Sequence, residues 1–246
     1  MYAFFNATQN LPNFLPIKSY IMGFRSLLAG SSAWAFVATS AVLAEAVPAP
    51  PCFGTWPGGQ DYETMCFSIV STSGNITVRD YATLFVPLGP VIASTPSTYT
   101  NFSAGSTQAT GFTIDYFLYN NDKVEKIPLT TPLIWRPDQA GTWVATFALP
   151  ASKFKSAATA PGPSNGATDI DVFSNKRVAA YGFYTIELAT EDDYAAACAS
   201  LSSWLAGQSI VPVPGAWAEA WVTYNTLAQV GDRYNECWAE IPTSHA

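Results

Sequence analysis

The sequence predicts an α+β fold in which two helices pack against an antiparallel sheet. Three observations carry this. Two segments, about Ser103 to Tyr119 and about Glu191 to Leu205, place apolar residues at helical spacing. Around them lie short runs of alternating, β-branched and aromatic residues, bounded by Gly, Pro, Asn and Asp. These elements fall in the order β-β-α-β-β, then β-β-α-β-β again. No sequence identity is visible between the halves, so the pseudo-duplication is one of topology. Helices set against antiparallel strands define the α+β class.

Composition agrees. The chain has 246 residues, 49% hydrophobic and only 12% charged, enough for one good core and, by length alone, one domain or two small ones. Eighteen Pro and 16 Gly imply many turns, and 14% aromatic residues imply a β-rich interior. A net charge of −7 argues against nucleic acid and against an anionic membrane surface, because both need clustered Lys and Arg.

Residues 1–46 have the build of a targeting peptide. Lys18 and Arg25 precede Leu27-Leu28 and an apolar run from Ala33 to Leu43, which closes on the small-x-small pattern of Ala44-Glu45-Ala46. Met22 is an alternative start. The run is short of the ~20 apolar residues of a membrane span. Cleavage would leave residues 47–246 as one exported, secreted domain with no stable span. An uncleaved anchor, or a bipartite plastid presequence, is the alternative. Four cysteines, Cys52, Cys66, Cys198 and Cys237, all follow position 46, as disulfides in an exported chain would. They allow three pairings; Cys52–Cys66 closes a short Gly/Pro-rich loop and leaves Cys198–Cys237. Without a C-x-x-C, and with His245 as the single histidine, a zinc site is not expected. Sequons at Asn75 and Asn101 mark glycosylation candidates; a third, at Asn6, would leave with the targeting peptide.

In chain order, 47–60 is an extended lead-in. Met65 to Ser71 and Ile76 to Tyr81 form a hairpin across Ser73-Gly74-Asn75, and strand character continues from Thr83 to Ile92 before a loop at 94–100. The first helix takes Ser103 as N-cap and carries the stripes Ala109, Phe112, Tyr116, Tyr119 and Ile114, Phe117, Leu118. A helix this apolar needs cover on both sides: a sheet on one, and either more core or a ligand cleft on the other. Leu133 to Arg136 and Thr142 to Leu149 are strands around a turn at 137–141. Asp169 to Phe173 and Arg177 to Phe183 form a hairpin across Ser174-Asn175-Lys176. Thr190 caps the second helix, whose first turn holds Glu191, Asp192 and Asp193, suited to the positive end of the helix dipole. Trp217 to Tyr224 and Asn235 to Ile241 are the last strands.

No G-x-S-x-G, H-E-x-x-H or P-loop pattern occurs. Asp115, inside the apolar helix, and Glu187, between apolar residues, would serve as acid or base only if they faced a cavity.

Lys126-Ile127-Pro128-Leu129-Thr130-Thr131-Pro132-Leu133 resembles the K-I-P-M-T-x-P-V signature of the SOUL haem-binding family. Val78-Arg79-Asp80-Tyr81 is similar to its early V-R-E-Y strand, Gly111 through Asn121 to its G-F helix, Phe147-Ala148-Leu149-Pro150 to a strand end, and Arg233-Tyr234-Asn235-Glu236-Cys237-Trp238 to its terminal R-x-N-E-V-W. The resemblance spans about Cys52 to Ile241. It implies a distorted eight-stranded antiparallel β-barrel flanked by two helices, and haem or another tetrapyrrole in an apolar cleft beside the first helix. It makes Phe112, Tyr116, Tyr119 and Leu129 the expected apolar walls. Family members meet the propionates with basic residues near that helix. Here the helix has none, and Lys123, Lys126 and Arg136 are the nearest candidates. A pigment lacking iron is equally compatible. The expected function is therefore a non-catalytic tetrapyrrole-binding protein. The alternatives are a structural or protein-interaction module on the same fold and, last, a carboxylate hydrolase.

Overall fold

The computed structural model describes residues 52–55, 61–81, 90–224 and 231–243. The expected targeting peptide, the strand character at 83–89 and His245 lie outside them. A small hairpin pairs β1 (Cys52–Thr55), within the expected extended lead-in, with β2 (Asp61–Thr64), just after it. The main sheet contains β3 (Ser68–Ser73), β4 (Ile76–Asp80), β5 (Val91–Pro96), β6 (Leu133–Pro137), β7 (Trp143–Ala148), β8 (Asp169–Val172), β9 (Arg177–Thr185), β10 (Ala220–Thr223) and β11 (Arg233–Ile241). The helices are α1 (Phe102–Leu118) and α2 (Glu191–Gly207).

All pairings in the main sheet are antiparallel, in the order β3-β4-β9-β11-β10-β6-β7-β5-β8. Without β3, that order becomes its own reverse when β4 is exchanged with β8, β9 with β5, β11 with β7 and β10 with β6. The helices obey the same exchange: α1 packs on β7 and β5, α2 on β11 and β9. The duplicated halves expected from the sequence are therefore visible as a pseudo-twofold relation, and its centre lies where Trp135 of β6 stands opposite Trp221 of β10. Among the described residues the sheet has nine strands rather than eight, and its ends, β3 and β8, do not pair with each other.

One expected hairpin is absent. β8 pairs with β5, and β9 with β4 and β11. The reason lies in the connection. Phe173 donates its N–H to Pro90, whereas the carbonyl of Lys176 accepts from Tyr81, so the turn carries the chain from one half of the sheet to the other. β5 also extends to Pro96, through residues expected to be loop.

Strand alternation sorts the core into two faces. Leu133, Trp135, Ala145, Phe147, Cys237 and Ala239 meet the helices. Ile134, Ala148, Val178, Ala180, Val222 and Trp238 pack on the other face around Tyr81, Phe173 and Tyr224. α1 sits close on its strands. A Cβ added at Gly105 would lie 2.8 Å from Trp143 Cδ1 and 3.0 Å from the carbonyl oxygen of Tyr99, so only glycine fits there. The N-cap is Asn101 rather than Ser103, with its Oδ1 accepting from the Ala104 N–H at 2.9 Å. α2 begins at Thr190 as expected, in a reciprocal capping box with Asp193.

On the face away from the helices, Glu236 is fully buried. Its carboxylate accepts from both terminal nitrogens of Arg79, from the Tyr224 and Tyr234 hydroxyls at 2.7 Å each, and from the Trp238 indole at 2.6 Å. Burial pushes its pKa up, but the Arg79 charge and the hydrogen bonds from Arg79, Trp238 and Tyr234 outweigh this and hold it below the ordinary glutamate value. Glu236 stands inside β11 rather than at a strand end.

A candidate ligand cleft along the first helix

A cleft of about 540 Å³ lies between α1 and the segment 188–191 that leads into α2, within the ~300–1,000 Å³ range of small-molecule sites. The α1 wall is made by Ser103, Ser106, Thr107, Thr110, Gly111 and Ile114. Steps of three and four residues put these on one helical face. All but Ile114 are small, and that is what leaves space. The opposite face, with Gly105, Ala109, Thr113 and Tyr116 buried, is packed on the sheet.

The floor is aromatic. Phe102 and Trp135 line the cleft, and the Trp135 indole donates to the Thr110 hydroxyl at 2.9 Å. Phe102 stands edge-on to Trp135, Trp143 and Trp221, with ring centroids 5.6, 4.9 and 4.6 Å apart. Tyr194 stacks on Trp221 at 5.1 Å, nearly parallel. This cluster gathers at the pseudo-twofold centre and fixes the floor. The second wall is Leu188, Ala189, Thr190 and Glu191. Leu188 is exposed at the rim.

The cleft lies beside the first helix, where the family resemblance put it, but none of the seven expected binding residues lines it. Phe112, Tyr119 and Leu129 are 39%, 56% and 41% exposed. The stripe that joined Phe112 and Tyr119 to Ala109 and Tyr116 is split, because only the latter two face the sheet. Tyr116 is buried and donates its hydroxyl to the Pro161 carbonyl at 2.9 Å, and burial, with Asp122 and Glu125 adding to it, pushes the phenol up to about 12. Lys123 and Lys126 are exposed in the segment after α1. Arg136 lies on the other face of the sheet, its guanidinium 4.9 Å from the Trp217 ring centroid. Burial pulls its pKa down, with Asp138 acting in the opposite direction.

The signature stretch has a structural job instead. Ile127 is buried and its N–H binds the Phe117 carbonyl at 2.7 Å; the Thr130 hydroxyl binds the Ala148 carbonyl at 2.5 Å. Together they tie the end of α1 to β7 before the chain enters β6. Asp115 and Glu187 both face solvent, which removes the buried acid–base role those positions would have needed. Among the described residues no cluster of His, Cys, Asp and Glu could hold a metal ion, and no helix is long and apolar enough to cross a membrane. Cys198 and Cys237 form a disulfide joining α2 to β11. Cys66 is also disulfide-bonded; its expected partner Cys52 has a side chain outside those described. Asn75 is exposed at the tip of the β3–β4 turn, and Asn101 is exposed at the start of α1.

The lining residues were present in the sequence as Ser103, Thr107, Thr110 and Ile114, three hydroxyl residues and one aliphatic residue at helical spacing.

A model of the family described as SOUL heme-binding protein matches residues 62–240. No curated protein matches the chain. The matched segment contains both helices, every residue that lines the cleft and the nine strands of the main sheet save the last residue of β11, and the chain belongs to the SOUL heme-binding protein family.

Proposed function

We propose that the chain holds a flat, largely apolar ligand of the tetrapyrrole class in the cleft along α1 and releases it unchanged. The observation that carries this reading is the open cleft itself, with the Phe102 and Trp135 rings, set edge to face, as an aromatic floor and mostly small residues along one helix as a wall. Family membership supports a tetrapyrrole as its occupant. A structural module with no ligand is disfavoured by the same cleft, since α1 is not covered on that side.

The fit to haem divides into two parts. Aromatic rings and a wall of small residues suit a macrocycle. Haem iron is held by His, Cys, Met or Tyr, and none of these lines the cleft. The residues present fit a ring held by its faces and edges, not one held through iron. On this reading the protein positions the ligand by stacking and shields one face from water; no residue of the cleft is assigned a chemical step.

The chain is further read as exported, with residues 1–46 as its targeting peptide, secretion as the destination and a plastid as the alternative. In that setting Asn75 and Asn101 are accessible for glycosylation. Mass spectrometry of the protein from its native source, after glycosidase treatment, checks both points. The binding reading is tested by titrating the purified protein with protoporphyrin IX and with haemin. A saturable shift of the Soret band at micromolar ligand, with quenching of tryptophan fluorescence, is expected. No saturable change with either ligand would overturn it.

A further inference from the structure

The cleft contains many oxygen atoms but few hydrogen-bond donors. A Ser or Thr hydroxyl offers one hydrogen and two lone pairs. Ser106 and Thr107 both give that hydrogen to the Ser103 carbonyl, at 3.3 and 2.8 Å. Thr190 gives its hydrogen to the Asp193 carboxylate at 2.7 Å. Thr110 accepts from the Trp135 indole and keeps its own hydrogen free. Three of the five lining hydroxyls therefore present only lone pairs to an occupant. Glu191 is the one ionisable residue of the lining, and no lining residue is basic. Its carboxylate makes no hydrogen bond or ion pair among the described residues. Lys123, Lys126 and Arg136, the cations nearest in sequence, lie outside the lining. At the start of α2, Glu191, Asp192 and Asp193 offset the positive end of the helix dipole.

We propose that this cleft selects a neutral, carboxylate-free tetrapyrrole, such as an esterified one, in preference to a dicarboxylate, with Glu191 and the hydroxyl lone pairs disfavouring an anionic edge. The proposal rests on the cleft binding argued above and deepens it by naming the ligand class. The physical reason is a desolvation balance. A propionate drawn into this cleft loses water, finds few donors and meets a like charge at Glu191. An ester in the same place loses little water and meets no repulsion. The acidic net charge of the chain acts in the same direction.

The test compares protoporphyrin IX with its dimethyl ester, both delivered in the same detergent micelles, by fluorescence titration of the full chain. The ester is expected to bind at least about tenfold more tightly. Glu191 is exposed, so Glu191→Gln should fold normally, and it is expected to narrow the gap by strengthening the free acid. A free acid that binds as tightly as the ester, or more tightly, overturns the inference and leaves the tetrapyrrole reading of the cleft standing. A gap unchanged in Glu191→Gln overturns the role given to that residue. Failure of both ligands to bind overturns the inference and the reading on which it rests.

Discussion

Arg79 and Glu236, 157 residues apart in the chain, form a buried ion pair between β4 and β11. Each belongs to one of the motifs by which the sequence resembles its family, the early Val78-Arg79-Asp80-Tyr81 and the late Asn235-Glu236-Cys237-Trp238. Two distant motifs are thus one physical object: the side chains that close the face of the sheet away from the helices. Arg79 also donates to Tyr224 at 3.0 Å and Thr77 at 2.8 Å and lies over the Phe67 ring, so both charges are surrounded by partners.

Breaking this pair from one side leaves a buried charge without its partner. Glu236→Gln and Arg79→Met are each expected to cost about 3–5 kcal/mol of stability, measured by urea unfolding. The double variant should lose clearly less than the sum of the two, because the residues share one interaction. Simple additivity would show that the two side chains act independently.

The pair also sets an acid limit. The folded pKa of Glu236 lies below its unfolded value, so its stabilising effect is complete above about 4.3 and is lost as pH falls through the lower folded value. Asp138 and Asp193 shift the same way. Slight burial raises Asp138, but hydrogen bonds from Thr142 and Ala140 hold it down; Asp193 is held down by hydrogen bonds from Thr190. Melting temperature should therefore drop as pH falls below the ordinary carboxylate range, and Glu236→Gln should flatten that drop. An identical pH profile in the variant would contradict the assignment.

The disulfide Cys198–Cys237 closes a loop of 39 residues between α2 and β11, with both cysteines buried. Replacing both by serine is expected to cost about 4 kcal/mol by the chain-entropy estimate, read from urea unfolding of the oxidised protein and the variant. A loss below about 1 kcal/mol would mean that the link adds little constraint to the unfolded chain.

Much of the fold was legible from local signals. Thr190 with Asp193 marked the start of α2, the Ser73-Gly74-Asn75 turn marked the β3–β4 hairpin with Gly74 at a positive φ of 58°, and the order of elements gave the two halves. What was not legible depended on distant partners. β8 and β9 are neighbours in sequence, yet each joins the half of the sheet begun by the other half of the chain, and the bonds that decide it reach Pro90 and Tyr81. The site was half legible for a related reason. α1 is apolar over most of its circumference, so periodicity could not say which stripe faced the sheet; Gly105, pressed against Trp143, settles it. Once Ala109, Thr113 and Tyr116 point inward, the cleft falls to Ser103, Thr107, Thr110 and Gly111 rather than to Phe112 and Tyr119.

Gly111 offers the most direct test of the cleft as the binding site. It lines the cleft, and a Cβ built there meets nothing within 4 Å. Gly111→Leu therefore places a side chain in the ligand's space without disturbing the sheet, and it should raise helix stability by up to about 1 kcal/mol. The decisive measurement is the affinity of wild type and Gly111→Leu for protoporphyrin IX dimethyl ester, with melting temperatures recorded alongside. The account predicts a loss of at least about tenfold in affinity with an unchanged or higher melting temperature. Equal affinity in a well-folded variant would contradict it and move the ligand elsewhere on the protein.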